Sequence, residues 1–206
     1  MHEVTWATRR AYDANARSYA DETVGYDKFP GLLAELERFE SEIAPGQWVL
    51  DLGAGAGRDT AHLHGRGIRV VAADVSLEML RTTRRRCEHA CAVQSDMTAL
   101  PFRDASFAGA WACASFVHVH SGQLGGALCE LYRVLAGGAT IAASMKSGDT
   151  EGWSAGRSMA GQRWFNLMAP ERFATMLSDC GFRDVRTRSC GRPDWYVATA
   201  VKLGQA

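Results

Sequence analysis

Short apolar runs alternate with segments of helical periodicity between Trp48 and Met145. Each apolar run has the length and composition of a strand that is buried on both faces, as over residues 48–52 and 69–74. Parallel neighbours in a sheet cannot be joined by a tight turn, so longer, usually helical crossovers connect them. The alternation therefore predicts an α/β fold with a doubly wound, mostly parallel sheet, which binds its ligands beyond the carboxyl ends of the strands.

The predicted elements follow one another without an internal repeat or a linker that would split the chain. Their patterns predict strands over 48–52, 69–74, 90–94, 107–115, 139–145, 185–189 and 195–201. They predict helices over 6–24, 31–42, 77–87, 123–135 and 170–180, with a further helix-compatible segment after the first strand. Gly137 and Gly138 are expected to end the helix over 123–135.

The composition restricts the classes of partner. Lys and Arg together number 23, as do Asp and Glu, so the formal net charge is zero. A protein that binds nucleic acid needs a basic field to neutralise phosphates, and no nucleic-acid partner is expected. The first residues lack the apolar segment of a secretory signal, and no apolar run approaches the length of a membrane span. We therefore expect a cytoplasmic protein without membrane association.

The cysteine pattern favours free thiols. The chain has 206 residues, which is enough to bury a sizeable core without disulfide bonds. None of the six cysteines forms a Cys-x-x-Cys pair, and a strand is predicted to begin between Cys87 and Cys91. This spacing does not fit a zinc site, and no metal is predicted.

A glycine-rich turn containing Gly53, Gly55 and Gly57 follows the first strand. Glycine lets the backbone turn tightly and approach a ligand closely, although any tight strand–helix turn can use it. The turn is not a triphosphate-binding P-loop, because no Gly-Lys-Ser/Thr is present. It also departs from the dinucleotide-binding fingerprint, in which a third small residue stands at the position of Arg58. Asp51 precedes the turn and would repel a pyrophosphate, so it favours a ligand with an ammonium or sulfonium group.

Further carboxylates follow the second and third predicted strands. Asp74 ends the second strand, where a carboxylate can accept both hydroxyls of a ribose, and Asp96 follows the third. Asp96 is placed to accept a hydrogen bond from an adenine amino group, and the Met97 backbone to contact the edge of the ring. Taken singly, a strand-end cap and an Asx turn explain Asp74 and Asp96 equally well. Together with Asp51 and the glycine turn, they indicate one nucleoside site at the edge of the sheet.

At these residues the sequence resembles the class I S-adenosylmethionine-dependent methyltransferases. The first motif of that family is similar to VLDLGAGAGRDT, the second to VVAADVSLEML, and the third and fourth to VQSDMTALPF and SFAGAWACASFVHV. The segments ELYRVLAGGATIAASMK, PERFATMLSDCGFRDV and DWYVATAVK resemble its later elements. The resemblance runs from about Tyr12 to Val201. It departs at Ala108 and Ala136, where the family often has Asp and Pro, although neither position usually touches the cofactor.

The resemblance implies a Rossmann-like sheet of seven strands with the last one antiparallel, and S-adenosylmethionine as the cofactor. In the family the glycine turn passes under the methionine part, and the acidic residue after the second strand holds the ribose. The resemblance and the charge argument together predict cofactor contacts from Tyr12, Tyr19, Asp51, Gly53, Gly55, Gly57, Asp74, Leu77, Met79, Asp96, Met97 and Ala114.

We predict a single domain over residues 1–206. Residues 1–45 form a helical N-terminal cap, 46–146 the cofactor-binding core, and 147–206 an acceptor loop followed by a helix and a strand pair. Residues 147–166 combine glycines with Trp and Phe, which favours a lid over an apolar acceptor; a surface loop with buried aromatics is the alternative. Lys146 and Arg163 are available to bind an acidic group of that acceptor.

His118 is the candidate catalytic residue, because it follows the fourth strand, where similar enzymes approach the transferring methyl group. Imidazole titrates near neutral pH, which suits a general base for a hydroxyl, phenol or amine. A histidine that hydrogen-bonds only to the surrounding structure is the alternative interpretation.

The predicted function is O- or N-methylation of a small-molecule acceptor by a monomer or homodimer. Two other functions remain open at this point. One is a nicotinamide-dependent oxidoreductase, against which stand Asp51 and the missing third glycine. The other is a protein of the same fold that binds the cofactor structurally and transfers no methyl group. A methyltransferase acting on nucleic acid or protein is disfavoured by the balanced charge.

Overall fold

The computed structural model describes residues 1–155 and 159–204. Its helices are α1 (Glu3–Glu22), α2 (Leu32–Ser41), α3 (Arg58–Gly65), α4 (Leu77–Arg86), α5 (Ser121–Val134) and α6 (Pro170–Asp179), with a 3-10 turn over Phe116–His118. Its strands are β1 (Trp48–Leu52), β2 (Arg69–Asp74), β3 (Cys91–Gln94), β4 (Phe107–Cys113), β5 (Leu135–Lys146), β6 (Glu151–Ala155), β7 (Gln162–Asn166), β8 (Arg183–Ser189) and β9 (Trp195–Val201).

Seven of the strands in the described part of the chain form one twisted sheet in the order β3-β2-β1-β4-β5-β9-β8. The strands β1 to β5 pair in parallel, whereas β9 runs antiparallel to both β5 and β8. The predicted doubly wound sheet with an antiparallel last strand is therefore confirmed. The strand order reverses between β1 and β4, and parallel sheets of this kind bind ligands in the crevice at that point.

Both faces of the sheet are buried, which explains why the central strands read as continuous apolar runs. Val49 and Trp111 belong to the cluster formed with α2 and α3, while Leu50 and Ala110 belong to the larger cluster formed with α5 and α6. Neighbouring residues of a strand face opposite sides, so each run supplies both clusters in turn.

Helix α1 packs on α4 through a small separate cluster. Ala16 and Ala20 of α1 contact Ala56, which follows the glycine turn, and Met79 of α4. Small side chains let these segments approach closely. This contact places α1 across the carboxyl ends of the strands, so the predicted helical cap covers the crevice. The division into parts at residues 45 and 146 stays a prediction.

Several predicted boundaries differ from the structure. Gly137 and Gly138 lie inside β5 and do not end α5, which stops at Val134 and passes directly into the strand. Strand β4 ends at Cys113, because Ala114 adopts a left-handed conformation (φ 52°) ahead of the 3-10 turn. A backbone turn of this kind ends a strand whatever the apolar pattern that follows.

The segment interpreted as a lid or loop contains an antiparallel hairpin, β6–β7, in which Trp153 pairs with Trp164. Gly156 and Arg157, which fall in the same predicted lid, lie outside the described residues. The hairpin contacts α1, since the Asn15 side chain exchanges hydrogen bonds with the Ala160 backbone.

Among the described helices, none has the length and apolar character that crossing a membrane requires.

Candidate functional site

A cavity lies at the point where the strand order reverses, beneath α1. Nine of the residues predicted to form the site line it. Helix α1 contributes Tyr12 and Tyr19, and the glycine turn contributes Gly53 and Gly55. The ends of β2 and β3 contribute Asp74, Asp96 and Met97, and the segment after β4 contributes Ala114 and His118.

The glycine turn is held in place by hydrogen bonds to β2. The backbone amides of Gly53 and Ala54 donate to the Ala73 carbonyl at 2.7 and 3.1 Å. Gly53 has φ 76°, and a Cβ atom there would lie 2.3 Å from the Cβ of Ser115. Gly57 has φ 78°, and its Cβ would meet Thr83 of α4 at 2.7 Å. Both positions require glycine for reasons of conformation and of close approach.

Asp74 connects the glycine turn with the start of α4. Its Oδ2 accepts from the Gly55 amide at 2.8 Å and its Oδ1 from the Ser76 amide at 2.8 Å. Burial raises the pKa of the Asp74 carboxyl to about 6, although these backbone hydrogen bonds lower it. The carboxylate is therefore mostly ionised at neutral pH. Each oxygen has a second lone pair, so Asp74 can still accept from the two hydroxyls of a ribose.

Asp96 forms an Asx turn, and its role in adenine recognition stays a prediction. Its Oδ1 accepts from the backbone amide and hydroxyl of Thr98 at 3.0 and 2.8 Å, which is an Asx turn. Its other oxygen, Oδ2, accepts no hydrogen bond from the described residues. Because Asp96 and Met97 line the cavity, that oxygen is available to an adenine amino group, as predicted for the site.

Three hydroxyls at the cavity were missed by the sequence interpretation. The side-chain oxygens of Thr8, Ser95 and Ser115 are buried, have no hydrogen-bond partner among the described residues, and belong to residues that line the cavity. Buried polar groups are nearly always paired, so their arrangement fits a polar ligand. Ser95 and Ser115 stand beside predicted site residues, and Thr8 precedes Tyr12 by one helical turn; those spacings were the available signals.

His118 takes part in a side-chain network that defines its tautomer. Its Nδ1 lies 2.6 Å from the Trp164 carbonyl oxygen, which can only accept, so Nδ1 carries the proton. Its Nε2 then accepts from the Tyr12 hydroxyl at 2.9 Å. That hydroxyl accepts in turn from Nη1 of Arg163 at 2.8 Å. Arg163 belongs to β7, so the hairpin, α1 and the 3-10 turn meet at this point.

The same network weakens His118 as a base. Burial, with a smaller effect of the nearby Arg163 charge, lowers the pKa of His118 to about 4, although the hydrogen bond to the Trp164 carbonyl raises it. His118 is therefore neutral at pH 7, and both of its ring nitrogens are engaged. A base of this pKa drives proton abstraction poorly near neutral pH. The assignment of His118 as general base stays a prediction, and the structural role is the one that its hydrogen bonds favour.

Four predicted cofactor contacts do not line the cavity: Asp51, Gly57, Leu77 and Met79. Asp51 is buried beneath the turn and accepts from the Thr60 hydroxyl at 2.5 Å. Burial and the neighbouring Asp59 raise the pKa of Asp51 to about 8, so the expected attraction of a cation by its charge is weakened. Met79 packs beneath α1, and Leu77 is 38% exposed. Their cofactor roles stay predictions.

The described residues contain no group of histidine, cysteine and acidic side chains that could hold a metal ion. The fold is the Rossmann-like methyltransferase fold that the sequence predicts: a seven-stranded sheet with a reversed last strand, and a glycine turn bonded to an acidic residue of the second strand.

Comparison with protein families gives one match. Residues 49–138 match the family model described as a methyltransferase domain.

Curated relatives carry methyltransferase names. The chain is 34% identical over 144 residues to a protein named malonyl-[acyl-carrier protein] O-methyltransferase from Erwinia billingiae. That match covers 70% of this chain and 55% of the relative. A demethylmenaquinone methyltransferase from Corynebacterium kroppenstedtii is 34% identical over 133 residues, covering 64% of this chain and 56% of that protein. The chain thus spans about half the length of these curated relatives.

A solved structure described as a complex of DhpI with SAH superposes with a TM-score of 0.81 at 21% identity and covers 100% of both chains. At 21% sequence identity, this similarity shows that the two proteins share a fold.

Proposed function

We propose that this protein transfers a methyl group from S-adenosylmethionine to a small-molecule acceptor. The observation that carries the proposal is the convergence of the glycine turn, Asp74 and Asp96 on one cavity beneath α1. The match of residues 49–138 to the methyltransferase domain and the names of the curated relatives support it. The structural neighbour that is described as bound to SAH supports the choice of cofactor.

The residues at the cavity fit such a cofactor. Asp74 would hold the ribose hydroxyls, and Asp96 with Met97 would recognise the adenine edge. Gly53 and Gly55 bring the backbone close to the methionine part, because neither has a side chain in the way. The partnerless hydroxyls of Ser95 and Ser115 gain hydrogen-bond partners when a polar ligand is present.

The cofactor supplies a methyl group that a sulfonium leaving group already activates, so the protein mainly has to align the acceptor and exclude water. Tyr12 and Tyr19 of α1 form the cover, with their rings 5.4 Å apart in an edge-to-face contact. Tyr12 is tied to the hairpin through Arg163 and to the 3-10 turn through His118. This network fixes the cover over the side of the cavity that faces β4.

We further infer O- or N-methylation, a cytoplasmic setting, and a monomer or homodimer that binds no nucleic acid. The balanced charge supports the absence of a nucleic-acid partner.

Isothermal titration calorimetry with S-adenosylhomocysteine tests the cofactor site directly. We expect saturable binding by the wild-type protein and none of comparable affinity for NAD⁺. Asp74→Asn should weaken binding about 10- to 100-fold, because a hydrogen bond to a charged group contributes about 1.5–3 kcal/mol. Asp179→Asn, an exposed change on α6, is the matched control and should leave binding unchanged.

Transfer of a labelled methyl group from S-adenosylmethionine to a panel of phenols, amines and carboxylic acids then tests the reaction. Binding of S-adenosylhomocysteine without transfer to any acceptor would favour the non-methylating alternative. Preference for NAD⁺ would favour the oxidoreductase.

A further inference from the structure

Arg163 of β7 is a buried cation that has no anionic partner among the residues the structure describes. The residue is 5% exposed, and none of the salt bridges within the described chain includes it. Its one hydrogen bond runs from Nη1 to the Tyr12 hydroxyl at 2.8 Å, and its Nε is buried without a partner in the described residues. Two other buried charged residues are paired, Glu35 with Arg188 and Asp59 with Arg58, whereas the buried Asp51 accepts a hydrogen bond from the Thr60 hydroxyl.

The surroundings of Arg163 offset only part of the lost hydration. The guanidinium lies 5.3 Å from the ring centroids of both Tyr12 and Phe165, which gives two cation–π contacts. The third neighbour, His118, is neutral and hydrogen-bonds elsewhere. A guanidinium cannot lose its charge in a protein, so burial does not neutralise it. The desolvation of a buried charge is normally offset by an opposite charge and further hydrogen bonds.

Arg163 does not line the cavity itself, but it adjoins two residues that do. Its hydrogen-bond partner Tyr12 and its neighbour His118 both line the cavity. The 3-10 turn that carries His118 follows β4, and the hairpin that carries Arg163 follows β5. The ribose and adenine contacts assigned above come instead from the ends of β2 and β3.

We propose that Arg163 binds an anionic group of the acceptor, so that the substrates of this protein are small molecules carrying a carboxylate or another oxyanion. This inference rests on the proposed methyltransferase function. The planar guanidinium can donate two parallel hydrogen bonds to such a group. Where that oxyanion is itself the atom that is methylated, no proton has to be removed, which agrees with a neutral His118 whose two ring nitrogens are engaged.

The carboxylate of the cofactor's methionine part has the same chemistry, so the experiment separates the two sources. Calorimetry measures the binding of benzoate, acetate and inorganic phosphate to the protein saturated with S-adenosylhomocysteine. We expect at least one of these anions to bind at millimolar concentration. Arg163→Met should weaken that binding about tenfold or more, whereas Arg163→Lys, which keeps the charge, should retain part of it.

Arg10→Met is the matched control, because Arg10 is an exposed arginine of α1 that contacts Trp6. It should leave anion binding unchanged. Binding of S-adenosylhomocysteine by each variant reports whether its site is folded. Any loss of affinity in Arg163→Met, which removes a hydrogen bond to Tyr12 of the cover, should be equal for S-adenosylhomocysteine and methylthioadenosine.

Two results would overturn the proposal. The first is the absence of saturable binding of all three anions, or binding that Arg163→Met does not alter. The second is a loss of affinity in Arg163→Met for S-adenosylhomocysteine but not for methylthioadenosine, which lacks the carboxylate; Arg163 would then bind the cofactor. If the wild-type protein fails to bind S-adenosylhomocysteine, the proposed function fails instead, and the anion titrations on the unliganded protein still measure what Arg163 binds.

Discussion

Replacing Gly53 by alanine tests whether the glycine turn is built for close packing as well as for conformation. Gly53 has φ 76°, and Gly46, in the loop before β1, has φ 79°. A Cβ atom at Gly53 would lie 2.3 Å from the Cβ of Ser115, whereas at Gly46 nothing lies within 4 Å. The two substitutions therefore introduce the same backbone strain, and only Gly53→Ala adds a steric clash.

The left-handed conformation costs a residue with a Cβ about 1–2 kcal/mol, partly offset by about 0.4–1 kcal/mol because alanine restricts the unfolded chain. Overpacking adds about 1–3 kcal/mol. We expect Gly46→Ala to lower the free energy of unfolding by about 1 kcal/mol and Gly53→Ala by about 2–4 kcal/mol. Equilibrium unfolding in guanidinium chloride, followed by circular dichroism, measures both values.

The double variant Gly53→Ala/Ser115→Gly removes the atom that clashes and should recover most of the difference between the two single variants. Calorimetry with S-adenosylhomocysteine provides a second readout, since Gly53→Ala displaces a turn that lines the cavity and Gly46→Ala does not. Equal destabilisation by the two single variants, with cofactor affinity retained in Gly53→Ala, would refute this reasoning.

Four further predictions concern the cavity. The fold raises the pKa of Asp74 from 3.8 to about 6, so its contribution to stability is present below pH 3.8 and is lost as the pH rises through about 6. Urea unfolding of the unliganded protein at a series of pH values measures this loss, and Asp74→Asn should remove it. Affinity for S-adenosylhomocysteine should fall as the pH drops below about 6, because protonation removes an acceptor for ribose. Ser115→Ala removes a buried hydroxyl that has no partner in the described residues, so the free energy of unfolding of the unliganded protein should stay the same or rise by up to about 1–3 kcal/mol. The same change should weaken cofactor binding. A less stable variant with unchanged affinity would contradict this prediction. His118→Ala should lower turnover, because it removes the Nε2 acceptor that holds the Tyr12 hydroxyl of the cover, and unchanged turnover would exclude His118 from the mechanism.

The sequence determined the sheet and the centre of the site. The alternation of apolar runs and helical segments leaves few arrangements other than parallel strands with crossovers. Parallel strands bring their carboxyl ends to one edge, so Gly53, Asp74 and Asp96 had to meet once the strands were assigned correctly. These inferences depend on local patterns and on general rules of sheet topology, which do not require the detailed packing.

Tertiary structure alone decided which neighbours of those residues reach the cavity. Asp51 lies one strand position before Leu52, and this places it beneath the turn with Thr60, whereas Leu52 lines the cavity. Arg163 is buried only because β7 pairs with β6 and packs against α1 and the 3-10 turn, contacts between residues far apart in sequence. The pKa of His118 and its occupied nitrogens depend on the same contacts. Burial and hydrogen bonding between distant segments arise from the packed fold, and no local pattern in the sequence encodes them.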